Sequence, residues 1–369
     1  MDGVLDPTIR ELLAGREIPT VSVASVDAAR AGGVAELLYS EAIKQGSRFE
    51  DDAKFRLVAK QLNSDALRAR MTTALGTVWD VHESAGMPLR IFKGPAIASL
   101  AYESPEERPS SDIDIFVTAN DPTGLERLLL ELGVHPVSVR AAVDLALKGA
   151  PIHELGASVE GVAVDVHFNP YGLLTPPVDA SKLLTAFSAG VLGDVEVELP
   201  TPELALLIAV VNLARKGGGH LRAAGDIARI LQRAEPLDWN TFAVLSSSEG
   251  LDRVASSTVA AVVSDLQLDP ALTPFETAKR PTWVPRLGEG DVHLTLRRRG
   301  TWIPLRRGGH RLESLRYIAR WYLPSHEILD IRRPETHGDA RLARLVHHAR
   351  DAFPNAFDQG QRSHSRVGL

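Results

Sequence analysis

The segment of residues 108–117 constrains the fold of this chain more than any other part of the sequence. Asp112 and Asp114 alternate there with isoleucines and are followed by more apolar residues. Because successive side chains of a strand point to opposite faces, the pattern predicts a strand over residues 112–118 with both carboxylates on one side, about 7 Å apart. Neighbouring carboxylates repel each other unless a cation neutralises them, and oxygen ligands suit Mg²⁺ or Mn²⁺. The pair therefore predicts a divalent metal site.

A second alternating strand is predicted over residues 162–168. It places Asp165 on one face with Ala163 and His167, whereas three valines share the other face. If this strand lies beside the strand 112–118, three aspartates meet in one cleft. A single histidine on a strand is more often a structural residue, although His167 is also placed to hydrogen-bond an acid or a substrate.

A glycine turn precedes the aspartates. Lys93 and Gly94 join a strand predicted over residues 88–92 to a helix predicted over residues 94–102, which Pro95 opens. Backbone N–H groups at such a turn can bind phosphate oxygens. The turn is therefore a candidate phosphate-binding element.

Composition narrows the chemistry. The chain of 369 residues contains no cysteine, which excludes thiolate zinc sites, Fe–S clusters and cysteine nucleophiles. The longest apolar run, residues 204–214, is too short to cross a bilayer. The acidic start of the chain lacks the basic region of a signal peptide, so we expect a cytoplasmic protein with no membrane partner.

Apolar spacing predicts the remaining elements. Helices are expected within residues 1–60 and over 64–84, 121–133, 202–214, 221–232, 240–247, 251–265 and 313–322, with a further strand at 195–199. The signal between residues 135 and 161 is mixed.

The chain divides into four parts. We predict an N-terminal helical segment (1–60), a mixed α/β core (61–200), a helical domain (201–270) and a basic C-terminal region (271–369). Residues 279–350 carry 16 Lys or Arg residues and seven Asp or Glu residues. Such a region, with the arginine runs at 297–299 and 306–307, is more often a solvated surface or an interdomain contact than a polyanion-binding surface.

Three motifs resemble those of the uncharacterised nucleotidyltransferase family in the DNA polymerase β-like nucleotidyltransferase superfamily. The family shows a Leu-Lys-Gly-like turn, an Arg-Pro-x-Ser-Asp-Ile-Asp-Leu-like segment and a later Asp-x-His strand. This chain offers residues 92–94, 108–115 and 165–167. The resemblance covers residues 60–335 and implies an α+β class: a mixed sheet with flanking helices in the nucleotidyltransferase fold, followed by a helical domain.

The resemblance also implies a reaction: transfer of NMP from an NTP, such as ATP, with release of pyrophosphate. Asp112 and Asp114 would hold one Mg²⁺ (or Mn²⁺), and with Asp165 a second one; Asp165 is also a candidate proton acceptor. Donors to the nucleotide are implied at Lys93, Gly94, Arg108, Ser110 and Ser111. The acceptor stays open between RNA, protein, peptide and small molecule.

Other interpretations are kept. The chain can be a catalytically silent nucleotide-binding or regulatory module of the same fold, or, less favoured, a glycosyltransferase in which Asp-x-Asp holds a nucleotide diphosphate through a metal. Arg108 can instead pair with Glu106 or Glu107 in its own loop. Asp226, near the start of a predicted helix, is expected to be a structural capping residue.

Overall fold

The computed structural model describes most of the chain up to residue 276 and short pieces beyond it. The described residues are 5–50, 52–147, 154–171, 183–216, 220–233, 235–276, 287, 326–332, 335, 337 and 344–345. Their helices are α1 (Pro7–Leu13), α2 (Val23–Gly32), α3 (Ala35–Lys44), α4 (Ala53–Ala85), α5 (Pro95–Ala101), α6 (Pro122–Glu131), α7 (Pro136–Leu147), α8 (Pro202–Lys216), α9 (Leu221–Leu231), α10 (Trp239–Ser248), α11 (Asp252–Asp265) and α12 (His326–Arg332). Their strands are β1 (Thr20–Val21), β2 (Arg48–Phe49), β3 (Asp112–Phe116), β4 (Glu154–Val159), β5 (Val162–His167), β6 (Phe187–Leu192) and β7 (Val195–Pro200). The predicted α+β class, a mixed sheet with flanking helices, is confirmed.

The central sheet has the strand order β3-β5-β4. β3 and β5 run parallel, with Asp114 directly opposite Asp165, and β5 pairs antiparallel with β4. The turn between β4 and β5 consists of Glu160 and Gly161, which both have positive φ angles (51° and 72°). Two such residues favour a tight hairpin. The sheet is thus mixed because a parallel crossover and a hairpin meet at β5.

A second hairpin extends this sheet on the other side. β6 pairs antiparallel with β7, and the backbone of residues 89–91 lies between β7 and β3. Ile91 N donates to Glu198 O at 3.1 Å, and Phe116 N donates to Arg90 O at 2.9 Å. The strand predicted over residues 88–92 is wrong in extent, because Arg90 and Ile91 each form only a single β-bridge.

Most predicted helices are confirmed to within a few residues, but α4 is longer than expected. It begins at Ala53 instead of near Ser64 and ends before Gly86, whose φ angle is 69°. A left-handed glycine is a common helix C-cap. The first turns of α4 are largely exposed and are tied to α3 by the buried carboxylate of Glu36, which accepts a hydrogen bond from Ser64 Oγ at 2.6 Å. Such contacts leave little apolar periodicity in the sequence.

Two apolar cores hold these elements together. The first core joins α1–α3 to the helices α8–α11. The second lies under the central sheet, where Ile113, Ile115, Val164 and Val166 have no exposed surface and pack with α4, α6 and α7. The opposite face of the sheet, which carries the aspartates, also carries Phe116 into the first core. The acidic face therefore lies where the sheet meets the helical part.

Several sequence predictions lie outside the described residues: the helix over 313–322 and the arginine runs at 297–299 and 306–307. The domain boundaries at 60, 200 and 270 and the cytoplasmic location stay predictions. None of the helices in the described part of the chain has both the length and the hydropathy needed to cross a lipid bilayer.

A histidine in the last turns of α4 gives the fold an expected pH dependence. His82 is 1% exposed, and its burial lowers its pKa from 6.5 to about 4. The His82 imidazole binds a proton more readily in the unfolded chain than in the folded one. Its contribution to the unfolding free energy is therefore fully present above pH 6.5 and is lost as the pH falls from 6.5 to 4. We expect the unfolding free energy of the protein to drop by about 3 kcal/mol from this residue over that range.

Urea unfolding of the wild type and of His82→Leu at several pH values measures this loss. Titration of all other groups cancels in the difference between the two proteins. The unfolding free energy of His82→Leu minus that of the wild type should increase as the pH falls from 6.5 to 4. A difference that is constant from pH 7.5 to pH 4 would show that His82 titrates alike in the folded and unfolded chains.

Candidate active site

Three aspartates lie on one face of the central sheet. Asp112 and Asp114 are alternate residues of β3, and Asp165 on β5 is directly opposite Asp114. Ligand atoms of Asp114, Asp165 and His167 all lie within 4.8 Å of one another. The arrangement follows from the alternation of each strand and from the in-register pairing of the two strands.

Asp114 is the most enclosed of the three carboxylates, at 6% exposure. Its Oδ1 atom is 2.8 Å from His167 Nε2 and 3.2 Å from Lys93 Nζ. Burial alone would raise the pKa of Asp114, but the His167 hydrogen bond and the positive charge of Lys93 lower it to about 2. Asp114 is therefore ionised at neutral pH.

Asp165 is half-buried, and its surroundings act in the opposite direction. Burial raises its pKa, and the negative charges of Glu154, Asp114 and Asp112 raise it further. Glu154 belongs to β4, where it pairs with His167 across the hairpin. Four acidic side chains therefore share this face of the sheet, and a cation among them would relieve their mutual repulsion.

Asp112 is connected to the glycine turn through Ser110. Ser110 Oγ is 3.1 Å from the Asp112 carbonyl oxygen and 3.2 Å from its carboxylate Oδ1. Gly94 has a φ angle of 42°, and a Cβ atom there would come within 2.4 Å of Ser110 Oγ. Only glycine fits this position without strain. The turn is thus packed directly against the first residue of β3.

Lys93 precedes Gly94 in the turn, and Ser111 lies between Ser110 and the start of β3. The Lys93 side chain is 18% exposed, and its Nζ atom lies 4.7 Å from the centroid of the Phe92 ring, besides its contact with Asp114. Ser111 is exposed just before β3 begins. Lys93 and Ser110 therefore contact aspartates of β3, and Gly94 packs against Ser110, whereas the nucleotide-binding roles of these residues stay predictions.

Arg108 is placed differently from the other expected nucleotide-binding residues. Its guanidinium binds Asp226 of α9 through Nε and Nη2, at 2.7 and 2.8 Å, and donates from Nη1 to the Gly94 carbonyl oxygen at 3.1 Å. Tyr102 also donates to Asp226, at 2.9 Å. Arg108 is 8% exposed and Asp226 1%. All three nitrogens of the guanidinium thus donate to groups of the protein itself.

This ion pair corrects two local interpretations. Arg108 does not pair with Glu106 or Glu107, which contact Arg68 and Lys44 respectively. Asp226 lies inside α9 and not at its N-cap, which is His220. The structural role expected for Asp226 holds, but it is a buried ion pair and not a cap.

Sequence reasoning gave too little weight to two residues of the site. For His167 the sequence favours a structural role over a hydrogen bond to an acid, and the structure shows the hydrogen bond, to Asp114. Its place on the same strand face as Asp165 was the available signal. Glu154 was missed, because its strand lies in the region of mixed signal and buries little besides Leu155.

Comparison with known families agrees with this geometry. The sequence model of a family described as uncharacterised nucleotidyltransferase matches residues 24–263. The chain belongs to this family. Comparisons with curated proteins and with solved structures gave no significant match. Membership in a nucleotidyltransferase family favours that activity over a glycosyltransferase for the Asp112-Ile113-Asp114 motif.

The residues present fit a divalent cation. Asp114, Asp165 and His167 form a group of closely spaced potential ligand atoms on two adjacent strands. Asp114 is ionised, and burial together with the neighbouring carboxylates raises the pKa of Asp165. This donor set of carboxylate oxygens beside an imidazole suits a metal ion.

Proposed function

We propose that this protein transfers NMP from an NTP to a hydroxyl or phosphate of an acceptor, with Mg²⁺ or Mn²⁺ held by Asp112, Asp114 and Asp165. The observation that carries the proposal is the register of β3 and β5, which sets Asp165 opposite Asp114. The nucleotidyltransferase family to which the chain belongs supports it. The acceptor is RNA, a protein, a peptide or a small molecule.

The proposed reaction is a displacement at the α-phosphorus. An acceptor oxygen forms a bond to the α-phosphorus while the bond from this atom to the bridging oxygen of the β-phosphate breaks, so pyrophosphate leaves with the electron pair. When the acceptor is a hydroxyl, its proton passes to Asp165, the carboxylate that faces Asp114 from β5. The bound metal supplies Lewis-acid stabilisation of the negative charge on the phosphoryl oxygens.

We assign the triphosphate to the side of the site where the glycine turn meets β3. Lys93 provides a positive charge next to Asp114, Ser110 provides a hydroxyl beside Gly94, and the next residue, Ser111, provides a second hydroxyl just before β3. Arg108 serves the nucleotide indirectly, since its guanidinium holds the carbonyl oxygen of Gly94. In this arrangement the groups that bind the triphosphate lie together, and Arg108 keeps its buried ion pair.

Label transfer tests the proposed function. The purified protein is incubated with each α-³²P-labelled NTP, with Mg²⁺, Mn²⁺ or EDTA, and with RNA, protein and small-molecule fractions in separate reactions. We expect one fraction to become labelled in the presence of a divalent metal and not in EDTA. The labelled fraction identifies the acceptor class.

A parallel reaction with γ-³²P-labelled NTP is the control for the bond that breaks. Nucleotidyl transfer releases this label as pyrophosphate and leaves the acceptor unlabelled. Labelling from the γ-position would instead indicate phosphoryl transfer. Absence of label from every α-labelled NTP, with NTP binding retained, would favour the catalytically silent module.

A further inference from the structure

His167 contacts the proposed metal site from a fixed position. It is the last residue of β5, and its side chain is 2% exposed. The edge of one ring meets the face of the other between His167 and Phe92, with centroids 5.0 Å apart and an interplanar angle of 87°. Phe92 in turn makes an edge contact with Phe116, at 6.4 Å. The aromatic packing therefore fixes the orientation of the imidazole ring.

Two donors converge on a single oxygen of Asp114. His167 Nε2 is 2.8 Å and Lys93 Nζ is 3.2 Å from the same Oδ1 atom. An ionised carboxylate can only accept hydrogen bonds, so His167 carries the proton on Nε2 in this contact. These two donors use the hydrogen-bonding capacity of Oδ1 and leave the other oxygen, Oδ2, for a cation.

Direct coordination through Nε2 fits these contacts less well, and the other ring nitrogen, Nδ1, faces Glu154 Oε2 at 3.7 Å. A protonated Nε2 has no lone pair for a metal, so coordination would require this nitrogen to give up its hydrogen bond to Asp114. The metal would also have to lie close to the oxygen that Lys93 already contacts, where the ammonium charge would repel it. The contacts match a residue that orients a ligand, as hydrogen-bonded neighbours commonly do at metal sites.

We propose that His167 is a positioning residue that holds Asp114 Oδ1 and so directs Asp114 Oδ2 to the metal ion. The proposal rests on the proposed function, since it assumes that Asp114 binds a metal. It gives His167 a role that the three aspartates do not supply: it fixes one carboxylate rotamer before the ion binds. Lys93 shares this role until a nucleotide is present.

Mn²⁺ binding to the full-length protein tests the proposal without turnover. His167→Gln keeps an N–H donor, whereas His167→Phe keeps the aromatic packing against Phe92 and removes the donor. We expect His167→Phe to lower the affinity for Mn²⁺, measured by electron paramagnetic resonance, by about 10- to 100-fold. His167→Gln should recover most of that loss. The exposed His135, changed to Gln, is the matched control and should bind Mn²⁺ as the wild type does.

Pulsed electron paramagnetic resonance of the wild-type protein with Mn²⁺ alone is a second measurement that needs no variant. A positioning residue gives no strong imidazole ¹⁴N coupling, whereas a coordinating His167 gives one that disappears in both variants. Strong coupling, or equal Mn²⁺ affinity in His167→Phe and the wild type, would overturn the proposal while leaving the proposed function intact. If the wild type binds no Mn²⁺, the metal-dependent function fails as well.

Discussion

Asp114→Asn is expected to lower the rate of nucleotidyl transfer by roughly a thousandfold or more. The substitution keeps the shape of a side chain that is 6% exposed but removes its charge. A bound metal contributes several kcal/mol to stabilising a phosphoryl transition state, and about 4 kcal/mol corresponds to this factor. The amide that replaces the carboxylate would still offer an oxygen to His167 and Lys93 but could no longer neutralise a cation.

Initial rates of label transfer from the reactive α-³²P-labelled NTP measure this effect. Asp80→Asn is the matched control, because Asp80 is an exposed aspartate of α4 and the chemical change is the same. The control should react at the wild-type rate. If Asp114→Asn keeps more than a tenth of the wild-type rate, the aspartates of β3 are not the metal ligands of the reaction.

β3 and β5 could be predicted from the sequence because both strands bury one face completely. Valines and isoleucines on that face have essentially no exposure, so a branched apolar residue recurs at every second position. The aspartates on the other face were therefore predictable. Their register was not: nothing in either strand alone places Asp165 opposite Asp114 and not opposite Asp112.

The elements that were missed are those with weak local patterns. β4 buries Leu155 but few of its other residues, and β6 is mostly exposed and is formed by pairing with β7. The first half of α4 owes its contacts to Glu36 and Leu57 more than to a continuous apolar stripe. In each case the neighbouring element supplies the stabilisation, which a window of sequence does not show.

The partner of Arg108 illustrates the same limit at long range. Glu106 and Glu107 were its neighbours in sequence, yet its guanidinium binds Asp226, which is 118 residues away. Arg222, one turn earlier on α9, donates to the Pro109 carbonyl oxygen at 3.3 Å. α9 therefore holds the loop that leads into β3, and this connection comes only from tertiary packing.

Asp226→Ala is expected to lower the unfolding free energy of the protein by about 3–5 kcal/mol. This is the usual cost of removing one partner of a buried ion pair, because the other charge is left without compensation. Here the charge left without a partner is the Arg108 guanidinium, at 8% exposure. The Tyr102 hydroxyl loses its hydrogen-bond acceptor as well. Denaturant unfolding followed by circular dichroism measures the change.

The exposed pair of Asp27 and Arg56 provides the comparison. Their side chains are 56% and 40% exposed, so Asp27→Ala should cost less than about 1 kcal/mol. A similarly small cost for Asp226→Ala would mean that water compensates Arg108 in the variant and that the pair is not the connection between α9 and the glycine turn.

The double variant Arg108→Met, Asp226→Leu separates stability from positioning. Replacing both charged side chains by apolar ones of similar size leaves no unpaired buried charge. We therefore expect the double variant to regain most of the unfolding free energy that Asp226→Ala loses. The carbonyl oxygen of Gly94, however, would lose the donor that Arg108 Nη1 provides in the wild type and that Asp226→Ala keeps. Because this turn carries Lys93 next to Asp114, the stabilised double variant should remain slower than the wild type in label transfer. If it regained the full rate, the turn would be held by its packing against Ser110 alone.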